Sequence, residues 1–374
     1  MNVAFINENT LGHGSYLMPF VRWFEQHPEA GIQPHVLNAT PLPERLQFQA
    51  NFSVPGLRGS GLDFHNARWR LTVSQHVLEQ LDELRRQQPI DAVVVNTQSV
   101  ALRLIERAHE LPVFVCLDST FAQLARSRWF APNAPTRLFL PLTLRALRKP
   151  ERAIIQCAHT VCPWSEPVRE SLVQDYQIPA EKTALLPPSL DVDAIQPREH
   201  PKNERPQILF VGGDFDRKGG PLLLLCFRKY FAERCDLHLV TKADLTAGRR
   251  VSVHRDLEAH TPEWTDLWRK ADVFVFPSTL ETFGIVLLEA LAFGVPTVST
   301  EVGAAREILD GGKAGWLLPM PNEELLRQAI TEALDHPEKA QAKAAKGRER
   351  IVAHYNLAAN ARALATRLHQ AAVD

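Results

Sequence analysis

Two glutamates eight residues apart, Glu281 and Glu289, are the residues of this sequence best suited to chemistry. Glu289 is the only charged residue from Phe283 to Val298, a stretch whose apolar residues predict a buried helix. A buried carboxylate is costly unless it is paired or hydrogen-bonded, so we expect Glu289 to meet a ligand rich in donors, such as ribose hydroxyls. The alternative is that Glu289 reaches solvent at the helix edge and Glu281 caps the helix.

The same helix offers a second kind of contact at its start, near Gly284. The N–H groups of a first helical turn lack intrahelical partners, and they favour a phosphate or a sugar hydroxyl. Strand-like runs lie on both sides, at Val273–Phe276 and Pro296–Ser299. Strand, loop, helix and strand together predict a βαβ unit of a parallel sheet.

A glycine-rich loop at 212–220, GGDFDRKGG, follows the predicted strand Gln207–Val211. Backbone amides at the glycines can approach a diphosphate, and Arg217 and Lys218 can neutralise its charge. The spacing matches neither a Walker A loop nor a dinucleotide fingerprint. A plain turn is the alternative interpretation.

The first half of the chain has its own candidates. Gly12, His13 and Gly14 lie in the loop after the first predicted strand, where glycines can bring backbone amides close to a phosphate or another polar ligand. The glycines could serve the turn alone, and His13 could be an ordinary loop residue. Asp118 ends the predicted strand Val113–Leu117, at the edge where parallel sheets bind ligands.

Residues 126–152 are basic and amphipathic, with Glu151 as their only acid. On a helix, Arg145, Arg148 and Lys149 share one face. Two interpretations stay open: a peripheral contact with an anionic membrane surface or acidic acceptor, or an ordinary solvated face.

Alternating strands and helices predict an α/β protein with two doubly wound parallel sheets. Proline-rich composition between them predicts a linker. The predicted domains are 1–190, the linker 191–206, 207–354, and a helix at 355–374 that packs back on the first domain.

Composition excludes several functional classes. A net charge of -1 argues against nucleic-acid binding, and no cysteine spacing fits a zinc site, so we expect no metal. The five cysteines indicate buried thiols in a reducing compartment. The start MNVAFIN enters a strand directly, and no apolar run is long enough to span a membrane. We therefore expect a cytoplasmic protein, at most peripheral at the inner face of the membrane.

These motifs together resemble the retaining, nucleotide-sugar-dependent glycosyltransferases of family 4. The most specific match is ETFGIVLLEALAFGVPTV, which begins at Glu281, and FVGGDFDRKG is similar to the family's phosphate loop. The resemblance covers about residues 155–330 well and the first 150 residues in outline. It implies the GT-B fold, in which two Rossmann-like domains face a cleft.

The resemblance also implies roles. Glu281, Arg217, Lys218 and Asp118 become the catalytic candidates, for transfer with retention, without a metal or a resident cofactor. It implies a donor site, for a nucleotide-diphosphate sugar, formed by Gly212, Gly213, Thr282, Phe283, Gly284, Ile285, Val286 and Glu289. The implied partner is a sugar or lipid-linked acceptor, as in the synthesis of cell-surface polysaccharide, glycolipid or related glycoconjugates.

The sequence departs from the family pattern twice. Many members carry Gly-Arg where this chain has Gly212-Gly213, so Arg217 is the candidate to supply that cation. Many also carry a histidine at the position where this chain has Asp118. Asp118 is therefore the first candidate for the polar group that faces the transferred sugar, and His13 is the second. A non-catalytic sugar-nucleotide-binding protein, or an isomerase or phosphorylase on the same fold, is the alternative. The nucleobase, the sugar and the acceptor stay open.

Overall fold

A computed structural model describes residues 1–9, 13–53, 64–127, 134–199 and 203–373, with only the backbone of 134–141 and 143. The chain divides into two compact units. Met1–Ser189 with Leu357–Asp374 form the first unit, and Leu190–Asn356 form the second. Each unit is an α/β sandwich around one parallel sheet, so the predicted fold class is confirmed.

In its described residues, the first unit has a five-stranded parallel sheet in the order β2-β1-β3-β4-β5. The strands are β1 (Asn2–Asn7), β2 (Gln33–Asn38), β3 (Ala92–Asn96), β4 (Val113–Leu117) and β5 (Thr160–Pro163). The central strands β3 and β4 are buried along their whole length. Helices cover both faces of a parallel sheet, and this explains why these strands are continuously apolar rather than alternating.

The helices of this unit follow the strands in chain order. They are α1 (Gly14–Gln26), α2 (Glu44–Asn51), α3 (His65–Gln87), α4 (Gln98–Ala101), α5 (Phe121–Arg126), α6 (Ala134–Cys157) and α7 (Glu166–Tyr176). Short 3₁₀ turns lie at Pro28–Ala30, Leu104–Glu106 and Ala180–Lys182. Thr120 starts α5 with a capping box, because its hydroxyl accepts from the Gln123 N–H while the Gln123 side chain accepts from the Thr120 N–H.

Within its described part, the second unit has a six-stranded parallel sheet in the order β11-β10-β9-β6-β7-β8. The strands are β6 (Gln207–Val211), β7 (Asp236–Val240), β8 (Val251–His254), β9 (Val273–Phe276), β10 (Thr297–Thr300) and β11 (Trp316–Leu318). The helices are α8 (Gly220–Tyr230), α9 (Pro262–Lys270), α10 (Ile285–Ala292), α11 (Ala305–Ile308), α12 (Glu323–Asp335) and α13 (Pro337–His354), with a 3₁₀ turn at Asp310–Gly312.

The strand order fixes where a ligand can enter each sheet. In the second unit β6 lies between β7 and β9, so the chain reverses its winding direction between β6 and β9. In the first unit the corresponding reversal lies between β1 and β3. Ligands of open α/β sheets bind at the carboxyl ends of the strands at such a switch point. The loops that follow these four strands are therefore the places to look for function.

The last helix, α14 (Leu357–Ala371), belongs to the first unit. It contacts α1, and His369 Nε2 lies 2.9 Å from the Ala30 carbonyl oxygen. Asn360 also donates to Ser189 Oγ at 2.8 Å. Among the helices of the described ranges, none has the length and apolarity needed to span a membrane.

Candidate functional site

The glycine-rich loop after β6 packs closely against the segment that follows β9 and is hydrogen-bonded to it. Gly219 has a φ of 79°, and a Cβ there would lie 2.0 Å from the Pro277 carbonyl oxygen. The Thr279 N–H and the Ser278 hydroxyl both donate to the Arg217 carbonyl, at 2.9 Å and 3.2 Å. A side chain at 219 would force these two segments apart, so glycine is required for their close approach. Arg217 and Lys218 therefore project from a fixed backbone at the switch point.

Both cations converge on the Glu281 carboxylate, a contact that the sequence did not predict. Arg217 Nη1 donates to Glu281 Oε1 at 2.9 Å, and Arg217 Nε donates to Asp214 Oδ2 at 3.0 Å. Lys218 Nζ lies 3.4 Å from the same Glu281 oxygen. Glu281 is 10% exposed, whereas Arg217 and Lys218 are 26% and 19% exposed. An anion with more charge than one carboxylate can reach both cations from solvent.

Helix α10 presents its first turn beside this cluster. Gly284 is its N-cap residue, with a φ of 97°. The N–H groups of Gly284, Ile285 and Val286 find no acceptor among the residues that the structure describes. The helix begins at Ile285, one residue later than the sequence indicates, and the Phe283 side chain packs in the core, 1% exposed. Phe283 and Thr282 can therefore contribute backbone groups to a ligand.

Glu289 is the exception on this apolar helix. Its side chain is half-buried, and no hydrogen bond or ion pair joins its carboxylate to another described residue. Burial raises the pKa of Glu289 to about 7, and the positive charge of Lys218 opposes that rise. A carboxylate in this state gains stability from any ligand that donates hydrogen bonds to it.

A second polar cluster lies in the first unit, at the carboxyl ends of three strands. Glu8 follows β1, Thr97 follows β3, and Asp118 follows β4. His13, the N-cap residue of α1, lies between the acids. Its Nε2 is 3.3 Å from Asp118 Oδ2, and its Nδ1 is 3.4 Å from Glu8 Oε2. The structure thus brings together the two candidates of this half, His13 and Asp118.

The two acids determine the charge of His13. Burial alone would lower the pKa of His13, but the contacts with Asp118 and Glu8 raise it to about 10. Burial likewise acts to raise the pKa of Glu8, yet His13 and the Thr97 hydroxyl bring that pKa below its usual value. At neutral pH the cluster is an imidazolium held between two carboxylates.

Glu8 and Thr97 are site residues that the sequence analysis missed. Thr97 Oγ1 donates to Glu8 Oε2, and the Glu8 N–H donates to the Asn96 carbonyl at 2.6 Å. Their position directly after two predicted strands, at the edge where parallel sheets bind ligands, was a signal that could have marked both as candidates. Of the predicted glycines here, Gly14 begins α1 and Gly12 lies outside the described residues.

The basic segment 126–152 contains the long helix α6, and residues 128–133 lie outside the described part. Arg145, Arg148 and Lys149 are exposed, and Leu142 beside them is 56% exposed. Leu144 and Leu147 of the same helix are buried against α5. The cationic face predicted from the sequence is therefore accessible.

Residues 191–350, almost the whole second unit, match the family model Glycosyl transferases group 1. The chain carries a Glycosyl transferases group 1 domain. This domain contains the Arg217–Glu281 cluster, the first turn of α10 and Glu289. A D-inositol 3-phosphate glycosyltransferase from Thermobispora bispora is 27% identical to the chain over 289 residues, which are 67% of this chain and 67% of that protein.

Solved structures extend the likeness to the first unit. Sucrose-phosphate synthase from Thermosynechococcus elongatus superimposes with a TM-score of 0.75 at 19% identity, covering 99% of this chain and 98% of that one. Anabaena HepE in complex with UDP and glucose gives a TM-score of 0.67 at 16% identity, covering 99% of both chains. At such low identities the likeness establishes only the fold, which is the GT-B fold. It covers the first unit as well as the group 1 domain in the second unit.

Proposed function

We propose that this protein transfers a sugar from a nucleotide-diphosphate sugar to an acceptor hydroxyl, with retention of configuration and without a metal ion. The observation that carries the proposal is the convergence of Arg217 and Lys218 on Glu281 beside the first turn of α10. Fixed cations and unpaired N–H groups at one place stabilise the negative charge that develops on a leaving diphosphate.

In the proposed reaction the bond between the anomeric carbon and the diphosphate oxygen breaks first. Its electron pair stays on the diphosphate, where Arg217 and Lys218 stabilise the charge. The acceptor oxygen then forms its bond to the anomeric carbon on the same face, and its proton passes to the departing phosphate oxygen. Glu281 orients both cations and accepts hydrogen bonds from the sugar.

Glu289 is proposed to bind the ribose of the donor. Its carboxylate is half-buried, has no partner among the described residues, and has a raised pKa of about 7. Two ribose hydroxyls can donate to its two oxygens at once, and this favours the ionised form. The pair of donors also explains how a charged residue is tolerated on a helix that is otherwise apolar.

The first unit is proposed to bind the acceptor, with Asp118 and the β1–α1 loop as its polar contacts. The relative named above acts on an inositol phosphate, an anionic polyol. The exposed cations of α6 suit an anionic acceptor or an anionic lipid surface, so we propose a peripheral position at the cytoplasmic face of a membrane. Sedimentation with anionic and neutral liposomes tests that position, and equal binding to both would reject it.

The donor site is tested by thermal shift with UDP-, GDP-, ADP- and dTDP-sugars. A ligand at 100 times its Kd adds about 2.7 kcal/mol, enough to move the melting midpoint by a few degrees. We expect one nucleotide class to raise the midpoint of the wild type and of Glu338→Gln, an exposed control on α13. Glu289→Gln should lose most of the shift.

Turnover assays with the same donors separate an enzyme from a binding protein. Release of nucleotide from the stabilising donor, dependent on an acceptor, supports transfer. Stabilisation without any release would leave a sugar-nucleotide-binding protein, and no stabilisation by any of the four classes would reject the donor site.

A further inference from the structure

Helix α6 reaches the turn that carries Asp118 through one buried side chain. Glu151 is completely buried, although it belongs to the most basic segment of the chain. Its Oε1 accepts from the Phe121 N–H at 2.8 Å and from Gln98 Nε2 at 3.3 Å. Its Oε2 accepts from the Tyr176 hydroxyl. One carboxylate of α6 therefore joins α4, α5 and α7.

The partners of Glu151 hold the same turn from other directions. Gln98 Nε2 also donates to the Ser119 carbonyl at 2.7 Å, and the Ala122 N–H donates to the Tyr176 hydroxyl at 3.2 Å. The turn from Asp118 to Ala122 is thus bound through its backbone to a network centred on Glu151. The Ser119 hydroxyl in turn donates to Asp118 Oδ1 at 3.1 Å.

Packing alone does not require a carboxylate at this position. Leu144 and Leu147 of α6 already form an apolar cluster with Phe121 and Leu124 of α5. Burial raises the pKa of Glu151 to about 7 despite its three donors, so the charge is costly to bury. Replacing a buried ionic group by an apolar one of similar volume is often neutral or stabilising, so stability alone does not account for a carboxylate at this position.

We propose that Glu151 is a positioning residue for Asp118, fixing the β4–α5 turn to helix α6 so that the place of this helix sets the direction of the Asp118 carboxylate. The kinetic consequence rests on the proposed transferase function, in which Asp118 contacts the acceptor or the transferred sugar. The geometric consequence, a turn ordered by Glu151, does not depend on that function.

The test compares Glu151→Leu with Leu147→Ala, which weakens the packing of the same helix but leaves the polar network intact. We expect Glu151→Leu to lower kcat about tenfold or more, because small displacements of a reacting contact are costly, and to leave the KM of the donor unchanged. Leu147→Ala should lower the melting midpoint at least as much and keep kcat. Glu151→Gln should recover part of the activity, since its carbonyl oxygen can still accept from Phe121 and Gln98.

Hydrogen exchange supplies a readout that needs no activity. In Glu151→Leu the peptide covering residues 118–126 should exchange faster, while peptides of the central strands exchange as in the wild type. If the wild type transfers no sugar, the proposed function fails. Hydrogen exchange alone then tests whether Glu151 orders the β4–α5 turn.

Two results would overturn the proposal. One is an equal loss of kcat in Glu151→Leu and Leu147→Ala; the other is faster exchange throughout the first unit rather than in 118–126. Should Glu151→Leu not fold, Glu151→Gln and Tyr176→Phe decide by the same measurements, because Tyr176→Phe removes the hydroxyl that joins Glu151 to the Ala122 N–H.

Discussion

The two units arrange their charged side chains differently at the carboxyl ends of their sheets. In the second unit two cations, Arg217 and Lys218, share the carboxylate of Glu281. In the first unit one cation, His13, is shared by the carboxylates of Glu8 and Asp118. The first arrangement favours a polyanion, and the second favours hydroxyl donors or developing positive charge. The proposed function assigns the leaving-group site to the second unit and a hydroxyl-binding site to the first.

The clusters also differ in what holds them in place. The cations of the second unit stand on a backbone whose close approach depends on Gly219. The acids of the first unit are held by other side chains, through Thr97, Ser119 and the imidazole itself. A site fixed by backbone geometry depends on few residues nearby, whereas a site fixed by side chains depends on residues far apart in sequence.

The largest effect should come from Arg217→Ala. Without this cation the leaving diphosphate loses a charge-assisted contact, and kcat/KM should fall about 100- to 1,000-fold. Steady-state transfer with the preferred donor measures it, with Arg228→Ala as the control because Arg228 is exposed on α8. Wild-type turnover in Arg217→Ala would mean that the diphosphate is held elsewhere. The cations of the second unit would then not form the leaving-group site that distinguishes it from the first.

Asp118→Asn should separate the two units functionally. We expect kcat to fall about tenfold or more, equivalent to roughly 1.4 kcal/mol of lost transition-state stabilisation, since the amide cannot replace the carboxylate. The Kd of the nucleotide, measured by calorimetry, should stay at the wild-type value. Weaker nucleotide binding in this variant would contradict the assignment of the donor to the second unit alone.

Gly219→Ala should destabilise the second unit, and Gly213→Ala should not. A Cβ at 219 meets the Pro277 carbonyl and carries a positive φ, whereas a Cβ at 213 meets nothing within 4 Å. The expected cost at 219 is about 1 to 3 kcal/mol. Scanning calorimetry of both variants measures the difference, and equal melting midpoints would show that the loop can move away from β9.

The stability contributed by His13 should depend on pH. Its folded pKa of about 10 lies above the ordinary value of 6.5, so the contribution is fully present below about pH 6.5. It is lost as the pH rises through 10, because the imidazolium facing Glu8 and Asp118 then deprotonates. Urea unfolding of the wild type and His13→Gln should differ by about 1 to 2 kcal/mol at pH 6 and by less near pH 10. If the difference in unfolding free energy were the same at both pH values, the imidazole between the two acids would be neutral.

The cluster of the second unit was predictable because its parts are local in pattern. Glycines mark the loop, Arg217 and Lys218 are adjacent, and Glu281 precedes a helix whose apolarity isolates Glu289. The contact between the loop and Glu281 spans 64 residues, but both follow strands of one predicted sheet. Alternation of strands and helices likewise predicted two parallel sheets, although not the order of their strands.

The cluster of the first unit could not be predicted in the same way. His13 and Asp118 are 105 residues apart, and only the order of β1, β3 and β4 in the sheet brings them together. Glu151 was overlooked for a different reason. Counting charges made it one acid in a basic segment, whereas its helical spacing from Leu144 and Leu147 places it on the buried face.

The division of the chain into units has a consequence for its modularity. The second unit, Leu190–Asn356, is continuous in sequence, and residues of the first unit flank it on both sides. Its two ends are paired: Leu190 forms a parallel bridge with Asn356, and its N–H donates to the Tyr355 carbonyl at 2.9 Å. Segments whose ends lie side by side can be exchanged between hosts without stretching the host chain. The second unit is therefore built as an interchangeable insert, and 189/190 and 356/357 are the two junctions at which to replace it.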